Sequence, residues 1–149
     1  MQIQRILVPT DFSPFSDLAL QVAASLQAKF QSQVTVLHVL TPLEAEALTS
    51  QPGNPWENVV LKIQNDMLRE IEDNAPSLPQ NMIRYEVIVG EPAEEIVRFA
   101  EENKMDLIIM GTHGRTGLAS ILLGSVTIGV IKKTCIPVMV VKCPERLKE

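Results

Sequence analysis

The run VTVLHVL at positions 34–40 holds five apolar residues in seven, three of them valine. A strand of that make-up has no polar face to turn to water, so both of its sides must be covered. A parallel sheet clothed by crossover helices is the usual way to cover them, and the run therefore predicts an α/β architecture. The rest of the chain agrees. RILVP at 5–9 is a second short apolar run, and Ser13 followed by Pro14 is a helix cap with proline at the first helical position. From Pro14 to Phe30, Leu18, Leu20, Val22, Ala23, Leu26 and Phe30 recur at helical spacing.

Residues 41–54, TPLEAEALTSQPGN, are mixed and carry two prolines, which reads mainly as a loop with room for one helical turn. A second helix is predicted over 55–74, with Trp56, Val59, Ile63, Met67 and Ile71 on its apolar stripe. MIRYEVIV at 82–89 is a third strand, and Gly90-Glu91-Pro92 turns into a helix marked by Ile96, Val97 and Ala100. LIIM at 107–110, a helix over about 126–133 and PVMVV at 137–141 complete the pattern. Five strands alternating with four helices imply right-handed crossovers and a three-layer α/β/α sandwich around a five-stranded parallel sheet.

A chain of 149 residues is expected to form a single domain over 1–149, at roughly 100–200 residues per domain. Thirteen Lys and Arg against eighteen Asp and Glu give a net charge of -5, which disfavours a nucleic-acid or anionic-membrane surface. Cys135 and Cys143 are too few for a disulfide framework and have no zinc-type spacing. The amino terminus has no secretory pattern and no run nears the ~20 apolar residues of a membrane span. A cytoplasmic protein without membrane or nucleic-acid partners is the expectation.

Ligands of open α/β sheets collect beyond the carboxyl ends of strands. Residues 111–124, which follow LIIM, carry four of the seven glycines. They read Gly-x2-Gly-x9-Gly-Ser, from Gly111 and Gly114 to Gly124 and Ser125. Glycine lets a backbone approach phosphate closely, Ser125 is placed to cap the next helix, and a helix amino terminus favours an anion. The spacing matches neither a Walker sequence nor a dinucleotide fingerprint. His38 reads as a hydrogen-bonded structural residue. His113, in the glycine segment, has no visible acid or nucleophile with which to act as a base. Met67, Met105, Met110 and Met139 read as core fillers.

With these motifs in hand the chain resembles the universal stress protein family, in its ATP-binding branch. The resemblance runs through ILVPTDFS, TVLHV, GEPAEEI, DLIIMGTHGRTG, LLGSV and PVMVVK, and so covers the whole chain. It implies an adenine nucleotide alpha hydrolase-like fold with strand order 3-2-1-4-5 and adenosine between the ends of the first and fourth strands. By the same resemblance Pro9, Thr10 and Asp11 take first-strand nucleotide positions, with Asp11 the polar contact to the nucleoside. Val39 lines the adenine pocket, and Met110 and Gly111 border base and ribose. Gly114, Gly124, Ser125 and Val126 match phosphate-binding positions, with Arg115 drawn toward phosphate charge. The implied cofactor is ATP with Mg2+, for which Ser125 offers a hydroxyl.

Each residue keeps a plainer reading: Asp11 as the cap of a local turn, Pro9 and Val39 as strand-end and core residues, and Ser125 as a helix cap alone. The resemblance further implies a homodimer through residues 138–141, whose apolar strand would otherwise leave an attractive sheet edge. Two functions follow. One is an ATP-binding regulator of stress physiology that presents a nucleotide-dependent surface to its own copy or to a protein partner, with at most slow hydrolysis. The other is a nucleotide-independent interaction module in which the glycines serve only turns. A redox reading has less support, because no flavin-type Ser/Thr loop follows the first strand.

Overall fold

The structure, a computed structural model, describes residues 1–113 and 123–142. Its strands are β1 (Arg5–Pro9), β2 (Gln33–Leu40), β3 (Ile83–Val89), β4 (Leu107–Gly111) and β5 (Val138–Val141). Its α-helices are α1 (Pro14–Phe30), α2 (Pro42–Thr49), α3 (Trp56–Asn74), α4 (Pro92–Glu102) and α5 (Ser125–Lys133), with a 3-10 turn at Gln80–Met82. All strand pairs are parallel, and their order is β3-β2-β1-β4-β5. The expected sandwich is present, with the order that the family resemblance implies.

Side chains alternate across the sheet and build two cores. Ile6, Val8, Val34, Val36 and Ile109 face Leu20 and Ala23 of α1 and Ile63, Met67 and Ile71 of α3. Leu7, Leu37, Val39, Ile108 and Met110 face Ile96, Val97 and Ala100 of α4 and Val130 of α5. Ile6, Leu7 and Val8 are wholly buried, as a central strand covered on both faces requires. Met139 differs from the expectation of a core filler: it is 38% exposed, because among the described residues β5 has a neighbouring strand on one side only.

The segment predicted mainly as a loop contains α2. Thr41 and Glu44 form a capping box there: the Glu44 amide donates to the Thr41 hydroxyl at 3.2 Å, and the Thr41 amide donates to Glu44 Oε1 at 3.4 Å. Pro42 sits at the first helical position. No residue of α2 is buried, which is why no apolar periodicity betrayed it.

The last helix begins one residue earlier than expected, and its cap differs. Gly124, extended at φ -64° and ψ 155°, is the N-cap, and Ser125 is the first helical residue, so the serine hydroxyl does not cap the helix.

Two close approaches lock β4 and α5 into place. A Cβ on Gly111 would lie 2.6 Å from Phe15 Cβ and 2.7 Å from the Phe15 carbonyl oxygen, and one on Gly129 would lie 2.8 Å from Ala93 Cβ. At Gly111 the obstacle is partly backbone of α1 and cannot swing aside. Gly111→Ala is therefore expected to cost about 1–3 kcal/mol through overpacking, read as a lower denaturation midpoint at unchanged denaturant slope.

Candidate functional site

The site arises from the parting of β1 and β4. Their register pairs run only through Ile6↔Leu107 and Leu7↔Ile108, whereas β1 stays with β2 as far as Pro9↔Leu37. Beyond Leu7 the two strands diverge at the point where the sheet order reverses, the position at which doubly wound sheets open a crevice. The opening is a cleft of about 270 Å³, close to the lower end of the ~300–1,000 Å³ usual for small-molecule sites.

Nine of the residues singled out from sequence meet in its wall. Pro9, Thr10 and Asp11 come from the end of β1, Val39 from β2, Met110 and Gly111 from β4, and Gly124, Ser125 and Val126 from the start of α5. Gly114 and Arg115, together with the carboxyl-terminal residues 143–149, lie outside the described residues. Sequence reasoning did not assign Ser16, His38, Glu44, Pro92, Ile96, His113 or Thr127 to the site, yet they line the same cleft. Glu44 had a readable signal, since Thr41-Pro42-Leu43-Glu44 fits the capping-box spacing.

The two ends of the glycine segment are stapled together. The Gly124 amide donates to the Thr112 carbonyl at 2.7 Å, and the Thr127 hydroxyl donates to the Gly111 carbonyl at 3.0 Å. These bonds hold the amino terminus of α5 beside the carboxyl end of β4. Among the described residues no side chain caps α5, an arrangement that suits an anion at its first-turn amides and the positive end of its dipole.

Asp11 carries out the turn-capping role: its Oδ1 accepts from the Ser13 amide at 3.0 Å and from the Ser16 hydroxyl at 3.3 Å. It also lines the cleft, so capping and facing a ligand are compatible. Thr10 contributes mainly backbone. Its amide donates to the Leu37 carbonyl at 2.8 Å, and its carbonyl lies 2.7 Å from His38 Nδ1. A carbonyl only accepts, so the hydrogen of this bond sits on Nδ1. His38 is thus the buried, hydrogen-bonded residue expected, and it ties β2 to the loop after β1.

The Thr10 hydroxyl points away from the cleft to Glu70 of α3, 2.8 Å from each carboxyl oxygen. Glu70 is buried, and that burial, followed by the neighbouring Asp17 carboxyl, pushes its pKa up to about 8. On the other wall, His113 Nδ1 lies 3.0 Å from the Thr112 hydroxyl and its ring packs against Phe15. Its Nε2 is buried without a hydrogen-bond partner among the described residues. Orphaned buried polar atoms are few in native structures, and one in a cleft wall is a natural contact for a ligand.

The model of the Universal stress protein family matches residues 2–142. Universal stress protein MJ0577 of Methanocaldococcus jannaschii is 35% identical, over 93% of this chain and 94% of that protein. Universal stress protein MJ0531 of the same organism is 37% identical, over 96% of this chain and 84% of its own length. The solved structure of MJ0577 superposes with a TM-score of 0.78, covering 97% of this chain and 99% of that one. A universal stress protein solved in complex with cAMP superposes with a TM-score of 0.69 at 26% identity, covering 95% and 98% of the two chains. With its sheet order, its parted central strands and its matched sequence, this chain belongs to the universal stress protein family.

Proposed function

We propose that this chain is an ATP-binding regulatory protein of stress physiology, and that binding in the cleft between β1 and β4, with at most slow hydrolysis, is what it signals with. The observation that carries this reading is the amino terminus of α5, without a side-chain cap among the described residues, stapled beside Gly111 in a cleft that Val39 and Met110 also line. One end of the cleft suits a phosphate group and the other a flat apolar base. In this reading Asp11 meets the nucleoside, Val39 and Met110 hold adenine, Gly111 borders the ribose, and Gly124, Ser125 and Val126 meet phosphate, with Gly114 and Arg115 assigned there by family resemblance. The orphaned His113 Nε2 and the relative solved with cAMP lend support to an adenine nucleotide.

Among the described residues no group of three or more His, Cys, Asp or Glu could hold a metal ion. Mg2+ would therefore arrive on the phosphates of ATP, with the Ser125 hydroxyl as the protein's contribution. Also among the described residues, no helix is long and apolar enough to cross a membrane, which is compatible with the proposed cytoplasmic setting.

The test separates binding from folding. Ser125→Asp puts a negative charge in the first turn of α5, where it favours the helix dipole but repels phosphate. The variant is expected to melt no lower than the wild type and to lose about tenfold or more in ATP affinity by calorimetry, equivalent to roughly 1.4 kcal/mol. A wild-type protein that ignores millimolar Mg-ATP after ligand removal would leave the nucleotide-independent module as the better account.

The edge of the sheet supports a second part of the proposal. β5 pairs with β4 alone and exposes Met139, and an apolar edge strand invites pairing. A homodimer through residues 138–141 would cover it and give the nucleotide state a surface to act on. Light scattering at micromolar protein is expected to report a dimer mass for the wild type and a monomer mass for Met139→Lys. A wild-type monomer would overturn the dimer.

A further inference from the structure

We propose that Glu70, which lies outside the cleft, is a positioning residue for it: its carboxyl group holds the loop after β1 in the shape that nucleotide binding requires. The inference rests on the nucleotide reading for what the cleft binds, and on hydrogen-bond geometry for the rest.

Residues 10–16 form an unusual loop. Phe12 has φ 65°, a left-handed conformation that is uncommon and costly for a bulky side chain and persists only where its surroundings impose it. The Phe12 amide donates to the Thr10 hydroxyl oxygen at 3.1 Å. Ser16 lies 3.1 Å from the same oxygen, 3.3 Å from Asp11 Oδ1 and 3.4 Å from Glu70 Oε2. Thr10 and Ser16 therefore both lie against Glu70, a residue some sixty positions later on α3; the single Ser16 proton is shared with the Ser13 carbonyl at 3.0 Å and with Asp11, so the firm link runs through Thr10 to the Phe12 amide and the turn that presents Asp11 to the cleft.

Proton counting gives the clamp its chemistry. Thr10 Oγ1 is 2.8 Å from both oxygens of Glu70, but a hydroxyl carries a single proton. A second proton, on Glu70 itself, serves its other close contacts, foremost the Asp17 carboxyl, whose hydrogen bond raises the Glu70 pKa after burial, whereas the hydrogen bonds from Thr10 and Ser16 favour the ionised form. The raised pKa of about 8 keeps that proton at neutral pH.

The groups around Glu70 make its loss consequential. Asp17 faces it from α1, while Asp66, Arg69 and Asp73 of its own helix line the adjoining recess with Phe12 and Asn74. Asp11 reaches it through Ser16, and His38 of β2 holds Thr10 from the opposite side. Four carboxyl groups, those of Asp11, Asp17, Asp66 and Asp73, stand against one guanidinium around Glu70, so its ionisation adds like charge to a crowded site and removes its hydrogen bond to Asp17.

The sign follows. Glu70 holds its proton up to about pH 8 in the fold and only up to about 4.5 in an ordinary carboxyl group. Its stabilising contribution is complete below the lower value and is lost as pH rises through the upper one.

The experiment measures Mg-ATP affinity of the full chain between about pH 7 and 9.5 at saturating Mg2+, which keeps the terminal phosphate ionised across that range, for the wild type, Glu70→Gln and Glu70→Ala. The wild type is expected to weaken about tenfold with a midpoint near 8, a change of roughly 1.4 kcal/mol. Glu70→Gln keeps a neutral donor and acceptor at all pH values and is expected to bind like neutral wild type with a flat profile. Glu70→Ala leaves Thr10 without its partner and is expected to bind weakly throughout. The methyl resonance of Thr10, which needs no nucleotide, should titrate near pH 8 in the wild type and stay still in Glu70→Gln.

Wild type and Glu70→Gln sharing one pH profile would overturn the proposal, as would Glu70→Ala binding at full strength. If the wild type binds no ATP even at pH 7, the nucleotide reading fails instead. The Thr10 methyl then decides alone: titration in the wild type upholds the clamp on the loop, and a resonance that stays still overturns it.

Discussion

The central strand β1 is sealed between two helical layers and hydrogen-bonded to β2 and β4, and the rest of the molecule is arranged around it. Ile6, Leu7 and Val8 have no exposure at all, so each contributes its full transfer energy, about 1.5–3 kcal/mol per large aliphatic side chain. The same strand generates the site. Where its pairing to β4 stops, backbone that would otherwise belong to a ladder faces a cleft, and the residues just past the strand are free of sheet geometry. The core and the cleft are thus neighbours along one short segment, Arg5 to Ser16.

That division explains what the sequence made legible. The strands were readable because double burial demands unbroken apolar runs, as in VTVLHV and LIIM, and the long helices because Ile63, Met67 and Ile71 must face one way. The order of the strands was not, since the same runs satisfy several orders, and the order came only with the family's likeness. Helix α2 reads mainly as a loop because periodicity reports burial and α2 only half-buries Ala45 and Leu48, although its capping box stands in the sequence. The cap of α5 was assigned one residue late because serine has the stronger prior as an N-cap, while Gly124 adopts the extended conformation there without a side-chain bond.

The cleft shows the same limits. Residues next to strand ends, such as Asp11, Val39 and Gly111, could be named because topology dictates where strand ends go. Glu70 could not, since it sits in the middle of an amphipathic helix with acidic and basic neighbours and looks like part of a solvated face. Only the tertiary fold brings it within 2.8 Å of Thr10. His38 is an intermediate case. Its burial was legible from the apolar strand around it, but its bond to the Thr10 carbonyl depends on the neighbouring strand and loop.

The two walls of the cleft also differ in how firmly they are built. The β1 side is held by sheet pairing, by His38 and by Glu70, whereas the α2 side is an eight-residue helix with no fully buried residue, held by half-buried Ala45 and Leu48 against the core, by the Thr41–Glu44 box and by the Asn54 side chain on the Leu48 carbonyl. Helices that short are marginal in water on their own, and segments with few buried contacts open locally at a small fraction of the global unfolding free energy. The wall that carries Glu44 is thus the part of the cleft with the least holding it, and opening it costs a local helix-coil transition and not the stability of the fold.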